Sequence, residues 1–206
     1  MSEGARVGRR DAVAEMKRGI ILDAAQRVFA ENGLRGASMR AIAKEAGYVP
    51  GAIYAYFPSK EHIYAAALSE SLIRLREATE TAAVGAGARE RLVAAGLAWF
   101  DFYDANPRDL DMGFYLFGGG IEPRGLSEEL NRELNAALLA TLEPVRRAAI
   151  EIGATEDDAV VLTADTFAHA SGLLLLAHTR RIELFKLDAR PLMAQHMEQL
   201  AARIAT

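Results

Sequence analysis

No cysteine occurs in the 206 residues, which excludes disulfides and thiolate metal ligation and makes a reducing cytoplasm the simplest home. Prolines number six, and stretches rich in Val, Ile or Thr are scarce, so little in the chain interrupts helix or favours strand. The histidines His62, His169, His178 and His196 show no metal-ligand spacing. No G-x-S-x-G, P-loop or H-E-x-x-H motif is present, and "FGGGIEP" lacks the strand before it and the helix after it that a phosphate loop requires. No metal, cofactor or enzymatic role is therefore expected. Long apolar runs are also lacking. Runs such as Ala170 to Ala177 fall far short of the ~20 residues of a membrane span. The first twenty residues carry Arg6, Arg9, Arg10, Lys17 and Arg18 but no apolar signal core. A soluble, cytoplasmic protein with no membrane partner is expected.

What is present is an ordinary globular mixture, 51% hydrophobic and 25% charged, in a chain long enough to bury a real core. The net charge of −4 conceals an asymmetry. Residues 1–60 hold ten Lys/Arg against six Asp/Glu, a net +4, and residues 61–206 hold fourteen against twenty-two, a net −8. A basic head on an acidic body suggests two jobs, one of them at a polyanion.

Helical periodicity runs through the whole chain. "MSEGARVGRRDA" (1–12) reads as a mobile basic arm. A first helix is expected over about 13–32, with Ile20, Ile21, Ala24, Ala25, Val28 and Phe29 at helical spacing and Gly33 as its stop. Ser38 reads as the N-cap of a second helix ending at Gly47. Pro50 suits the first position of a third helix, which runs to about Tyr56 and ends ahead of Pro58. Ser59 caps a long fourth helix to about Thr81. Further helices are expected near 88–105, 107–117, 127–152, 155–180 and from about 190 to the end. The chain is thus all-α with about nine helices, divided into the arm 1–12, a head 13–60 and a body 61–206, the boundary falling near Lys60 to Ser71.

Two short helices joined by a tight glycine turn in a basic segment outline a helix-turn-helix, whose second helix fits a DNA major groove. Here the stretch "ILDAAQRVFAENGLRGASMRAIAKEAGYVPGAIYAYFPSKEHIY" resembles the DNA-binding domain of the TetR family of transcriptional regulators, over roughly residues 17–64. The matching features are Ala24-Ala25 and Phe29, Gly33, Ser38, Ile42-Ala43, Gly47, Tyr54-x-Tyr56-Phe57 and Ser59-Lys60-Glu61. The resemblance implies that Ser38, Tyr54, Tyr56 and Lys60 hold phosphates, and that Arg40, Tyr48, Val49, Pro50, Gly51 and Ala52, with Ala55, face bases. Phe57 reads as core. The segment Pro50 to Tyr56 contains no Arg, Lys, Asn or Gln, so it has no bidentate reader of guanine or adenine. Arg40, on the preceding helix, is the expected base-edge reader, with Val49, Pro50 and Ala52 touching thymine methyls.

For the body, the resemblance implies ligand binding and dimerisation without residue-level transfer. Ala164, Ala168, Ser171 and Leu175 share one face of the helix from Thr155, and Met193, Met197, Leu200 and Ile204 form an apolar stripe on the last helix. Together they are the expected homodimer surface. Two heads on a two-fold axis would read a palindromic operator. Trp99, Phe102, Tyr103, Phe114 and Tyr115, faced by Leu138, Leu142, Phe167 and His169, are the expected lining of a site for a small, partly apolar effector. The function expected is a repressor that such an effector releases from double-stranded DNA; an architectural or activating DNA-binding protein without that switch is the alternative.

Overall fold

The computed structural model describes residues 3–84, 87–114 and 126–204. Among them are nine α-helices and one 3-10 turn, with no strand. The helices are α1 (Glu3–Gly36), α2 (Met39–Glu45), α3 (Pro50–Ile53), α4 (Lys60–Ala82), α5 (Ala88–Ala105), α6 (Pro107–Phe114), α7 (Glu128–Ile152), α8 (Glu156–His178) and α9 (Ala189–Ile204), and the 3-10 turn is Arg181–Phe185. The chain is all-α, as its periodicity predicts. Two compact units emerge: the described residues of Met1–Glu70 with Asp111–Leu134, and those of Ser71–Leu110 with Asn135–Thr206.

In the first unit, α1 begins at Glu3, so residues 3–12 have helical backbone continuous with the first helix instead of forming a separate arm. Gly33 is the real stop: its φ of 65° and ψ of 170° break the helix internally, a conformation open to glycine at little cost. Ile21, Leu22, Ala25, Val28 and Phe29 of α1 are buried with Ile63 and Tyr64 of α4. The Phe29 and Tyr64 rings meet edge to face at 5.6 Å, and the Tyr64 hydroxyl donates to the Met112 carbonyl.

In the second unit the core is aromatic and thioether-rich. Trp99, Phe100 and Tyr103 of α5, Leu174 of α8, and Met193 and Met197 of α9 are all buried. Helix α5 packs on both α8 and α9. Gly96 makes the α5–α9 approach close, since a Cβ there would lie 2.5–3.0 Å from the Met197 side chain. One polar seam crosses this core: Trp99 Nε1 donates to Thr141 Oγ1 at 3.1 Å, and Thr79 Oγ1 donates to the Thr141 carbonyl at 3.0 Å. Helix α8 is long and apolar enough by composition to cross a membrane; here it packs on α5, α9 and the 3-10 turn. That turn is unforeseen by the periodicity and is bracketed by two left-handed residues, Arg180 (φ 57°) and Lys186 (φ 55°).

Candidate nucleic-acid interface

The candidate interface is built on α2 and α3. Ser38 is extended, and its Oγ accepts from Ala41 N at 3.1 Å, closing the first turn of α2. The helix ends at Ala46. Gly47 then takes φ +73°, and Tyr48 N bonds back to the Ala43 carbonyl at 2.8 Å, which sets the tight turn. Val49 caps α3 with no side-chain hydrogen bond, and Pro50 stands in its first turn. Regular helix stops at Ile53, three residues earlier than the sequence suggests, because Tyr56 N and Phe57 N both fold back onto the Ile53 carbonyl in a closing turn. Ile42, Ala43 and Ile53 are wholly buried, so both short helices are pinned by their inner faces.

The outer face is then fixed by geometry. Val49 is 72% exposed and Tyr54 57%; Ser38, Arg40, Pro50, Gly51 and Ala55 are also exposed, while Tyr48, Ala52, Tyr56 and Lys60 are half-buried. A Cβ at Gly51 would meet nothing within 4 Å. Phe57 is buried and carries the Arg18 guanidinium 4.4 Å above its ring. Within the expected DNA-facing set, Lys60 bonds to backbone carbonyls of its own chain. Its Nζ donates to the Leu34 carbonyl at 2.8 Å and the Ala37 carbonyl at 2.9 Å. Arg40 and Lys44, one helical turn apart on α2, are exposed and have no ion pair or hydrogen bond among the described residues. Lys44 is a candidate that motif reading passes over; its i+4 spacing from Arg40 was the available signal. Arg27, by contrast, is engaged with Glu45 at 2.6 Å.

The body residues expected to line an effector site divide. Leu138, Leu142 and Phe167, with Leu139, Val160 and Ala164, line an apolar hollow of about 430 Å³ between α7 and α8, with Glu143 and Arg146 at its edge. Trp99, Phe102 and Tyr103 do not line it; they form a chain of edge-to-face contacts that joins Phe167 at 5.5 Å from Trp99. Burial pushes the Tyr103 hydroxyl well above its ordinary pKa, and the Asp109 carboxylate adds to the shift. Asp109 is itself held by Arg74 at 2.8 Å. His169 turns to α9, where its ring stacks on His196. The Phe114 side chain and Tyr115 lie outside the described residues.

The expected partner-facing set also needs correction. Met193, Met197 and Leu200 are 0–3% exposed and lie in the core of their own chain, because α9 presents its apolar stripe to α5 and α8. Ala164, Ala168 and Leu175 remain exposed on α8, with Ser171 and Ile204 half-buried.

Residues 21–67 match the family described as bacterial regulatory proteins, tetR family. The chain is 37% identical over 67 residues to the HTH-type transcriptional repressor KstR of Mycolicibacterium smegmatis, covering 32% of this chain and 33% of KstR. It is 41% identical over 71 residues to the HTH-type transcriptional regulator UidR of Escherichia coli, covering 32% and 36%. The chain thus spans about a third of the length of the curated relatives it matches. Its fold is similar to that of the transcriptional regulator FadR from Bacillus subtilis, solved in complex with stearoyl-CoA, with a TM-score of 0.68, 24% identity and coverage of 88% of this chain and 96% of FadR. The glycine turn, the pinned pair of short helices and the family match fall in one segment: residues 21–67 are similar to the tetR family of bacterial regulatory proteins.

Proposed function

We propose that the protein is a sequence-specific DNA-binding transcriptional regulator, a repressor released from a palindromic operator by a small, partly apolar effector. The observation that carries the reading is the exposed surface of α2 and α3. Arg40, Val49, Pro50, Gly51 and Tyr54 face outward from two short helices whose inner residues, Ile42, Ala43 and Ile53, are wholly buried. Such a surface enters a major groove without refolding. Arg40 reads a base edge, and Ser38, Tyr54 and Tyr56 offer hydroxyls to phosphates. The Ser38 hydroxyl accepts in its capping bond and keeps its own proton to donate.

The exposed strip of α8 formed by Val160, Ala164, Ala168 and Leu175 is the surface we assign to a second copy of the chain, since small residues allow close helix approach and two heads are needed to read a palindrome. The apolar hollow at the edge of this strip is assigned to the effector. Stearoyl-CoA bound by FadR supports an effector with an apolar tail in this fold class. Release then requires that the effector bind one arrangement of the dimer more tightly than the other. The test is selection of duplexes from a random-sequence library with the wild-type protein, followed by titration of the complex with acyl-chain compounds. Enrichment of a two-fold-symmetric sequence that such a compound releases supports the reading. Enrichment with no release by any compound leaves the architectural alternative; no enrichment removes DNA regulation altogether.

A further inference from the structure

The hollow between α7 and α8 is walled by Leu138, Leu139, Leu142, Val160, Ala164 and Phe167. Its volume of about 430 Å³ lies within the range of about 300–1,000 Å³ usual for small-molecule sites. Among the described residues that line it, only Glu143 and Arg146 carry charge. Arg146 donates to Glu143 through Nε and Nη2 at 2.9 and 2.8 Å, and to Glu156, at the start of α8, through Nη1 at 2.5 Å. Arg147, next along α7, also acts on Glu143 and is closed by Glu80 of α4 at 2.8 Å. The bond from Arg146 holds the Glu143 carboxyl below its ordinary pKa, so that carboxylate stays ionised at neutral pH. Two guanidinium groups thus stand against three carboxylates, a net charge of −1. Thr163, also in the lining, gives its hydroxyl proton to the Ala159 carbonyl at 2.7 Å and has only lone pairs left to offer.

We propose that the ligand of this hollow is an amphiphile with a cationic head, its alkyl chain lying along Leu138, Leu142, Val160 and Phe167 and its ammonium beside Glu143 and Glu156. Arg146 keeps two N–H donors, yet an incoming head group meets the sum of the network and not one member of it. A carboxylate or phosphate adds negative charge where negative charge is already in excess. A cation removes the excess while its chain covers the apolar walls. Leu138 and Arg146 are roughly 12 Å apart along α7 at 1.5 Å per residue, which suits a chain of medium length. The Arg146, Glu143 and Glu156 side chains are 32%, 41% and 73% exposed, so water screens them and the discrimination is moderate.

This inference rests on the effector reading of the hollow and adds the sign of the effector's charge. The test compares decyl compounds that differ in head group alone: decyltrimethylammonium, decanoate and decyl glucoside. Each is titrated calorimetrically into the full chain, without DNA and below its micelle concentration. Fluorescence of Trp99, the only tryptophan, gives a second readout, since its ring lies 5.5 Å from that of Phe167. The ammonium compound is expected to bind about tenfold more tightly than the carboxylate, with the glucoside between them. Glu143→Gln combined with Glu156→Gln is expected to leave Arg146 uncompensated and to reverse that order. Equal affinities, a tighter carboxylate, or an order unchanged in the double variant would each overturn the assignment. Binding of none of the compounds would also overturn it and leave the hollow to the second copy of the chain. If the double variant does not fold, the wild-type order alone decides the sign of the charge. Binding in the expected order without release of an enriched duplex leaves the assignment standing and removes the release step of the proposed function.

Discussion

His169 of α8 and His196 of α9 stack face to face, with ring centroids 3.8 Å apart and planes 10° from parallel. The Nε2 atoms of both rings are buried and have no hydrogen-bond partner among the described residues. Burial lowers the pKa of each, and at His196 the neighbouring His169 adds to the shift and Arg203 reinforces it; the Asp165 carboxylate, 3.9 Å from His196 Nε2, opposes it at both. Both rings are thus neutral in the folded protein at neutral pH.

The sign of the pH effect follows. In the unfolded chain a histidine takes up its proton near pH ~6.5, whereas folding holds these two lower. Between those points the unfolded state binds more protons, so stability rises with pH and is lost as pH falls below ~6.5 toward the folded values. Urea unfolding at a series of pH values is expected to show this slope in the wild-type protein and a shallower one in His169→Leu. Equal slopes in the two proteins would remove the stacked pair as its source.

Arg40→Ala is expected to cost ~1–3 kcal/mol of operator binding and to relax preference at one base position, because Arg40 is exposed and makes no ion pair or hydrogen bond among the described residues. Binding measured across single-base operator variants checks this. Uniform weakening over all variants would make Arg40 a phosphate contact.

Thr141→Val removes the acceptor of the buried Trp99 indole N–H while leaving the backbone carbonyl that Thr79 uses. An unpaired buried donor costs ~1–3 kcal/mol, which denaturant unfolding reads directly. No loss of stability would mean that the indole finds another partner.

Interior and partner-facing residues of the body should separate under substitution. Met197→Ala leaves a cavity against Gly96 and should cost ~2–5 kcal/mol of folding stability. Ala168→Glu, on an exposed position of α8, should leave the subunit folded but shift sedimentation from dimer to monomer. If Ala168→Glu stays dimeric, the α8 strip is not the interface.

Much of the architecture was legible because turn chemistry marked it. The end of α5 and the starts of α6 and α8 fall within a residue of the limits expected from the sequence, and Gly47 sets the turn that its sequence position suggests. The misreadings have a common cause: spacing shows that a face is apolar or basic without showing what it meets. The stripe Met193–Met197–Leu200 is apolar as read, but it meets the core of its own chain. His169 shares a helix with Phe167 but stacks on His196 of α9. The left-handed Arg180 and Lys186 have no signal in the sequence, since neither is a glycine or asparagine.

The central claim, that the surface of α2 and α3 reads DNA, is tested most directly at Gly51, where a side chain would project into open space in the free protein. Anisotropy titrations should compare the enriched duplex with a scrambled one, for the wild-type protein and for Gly51→Gln. The wild-type protein is expected to prefer the enriched duplex by ~10³-fold or more, and Gly51→Gln to lose or alter this preference at an unchanged melting temperature. Identical preference in the two proteins would contradict the central claim, because that surface would then not be seated in the groove.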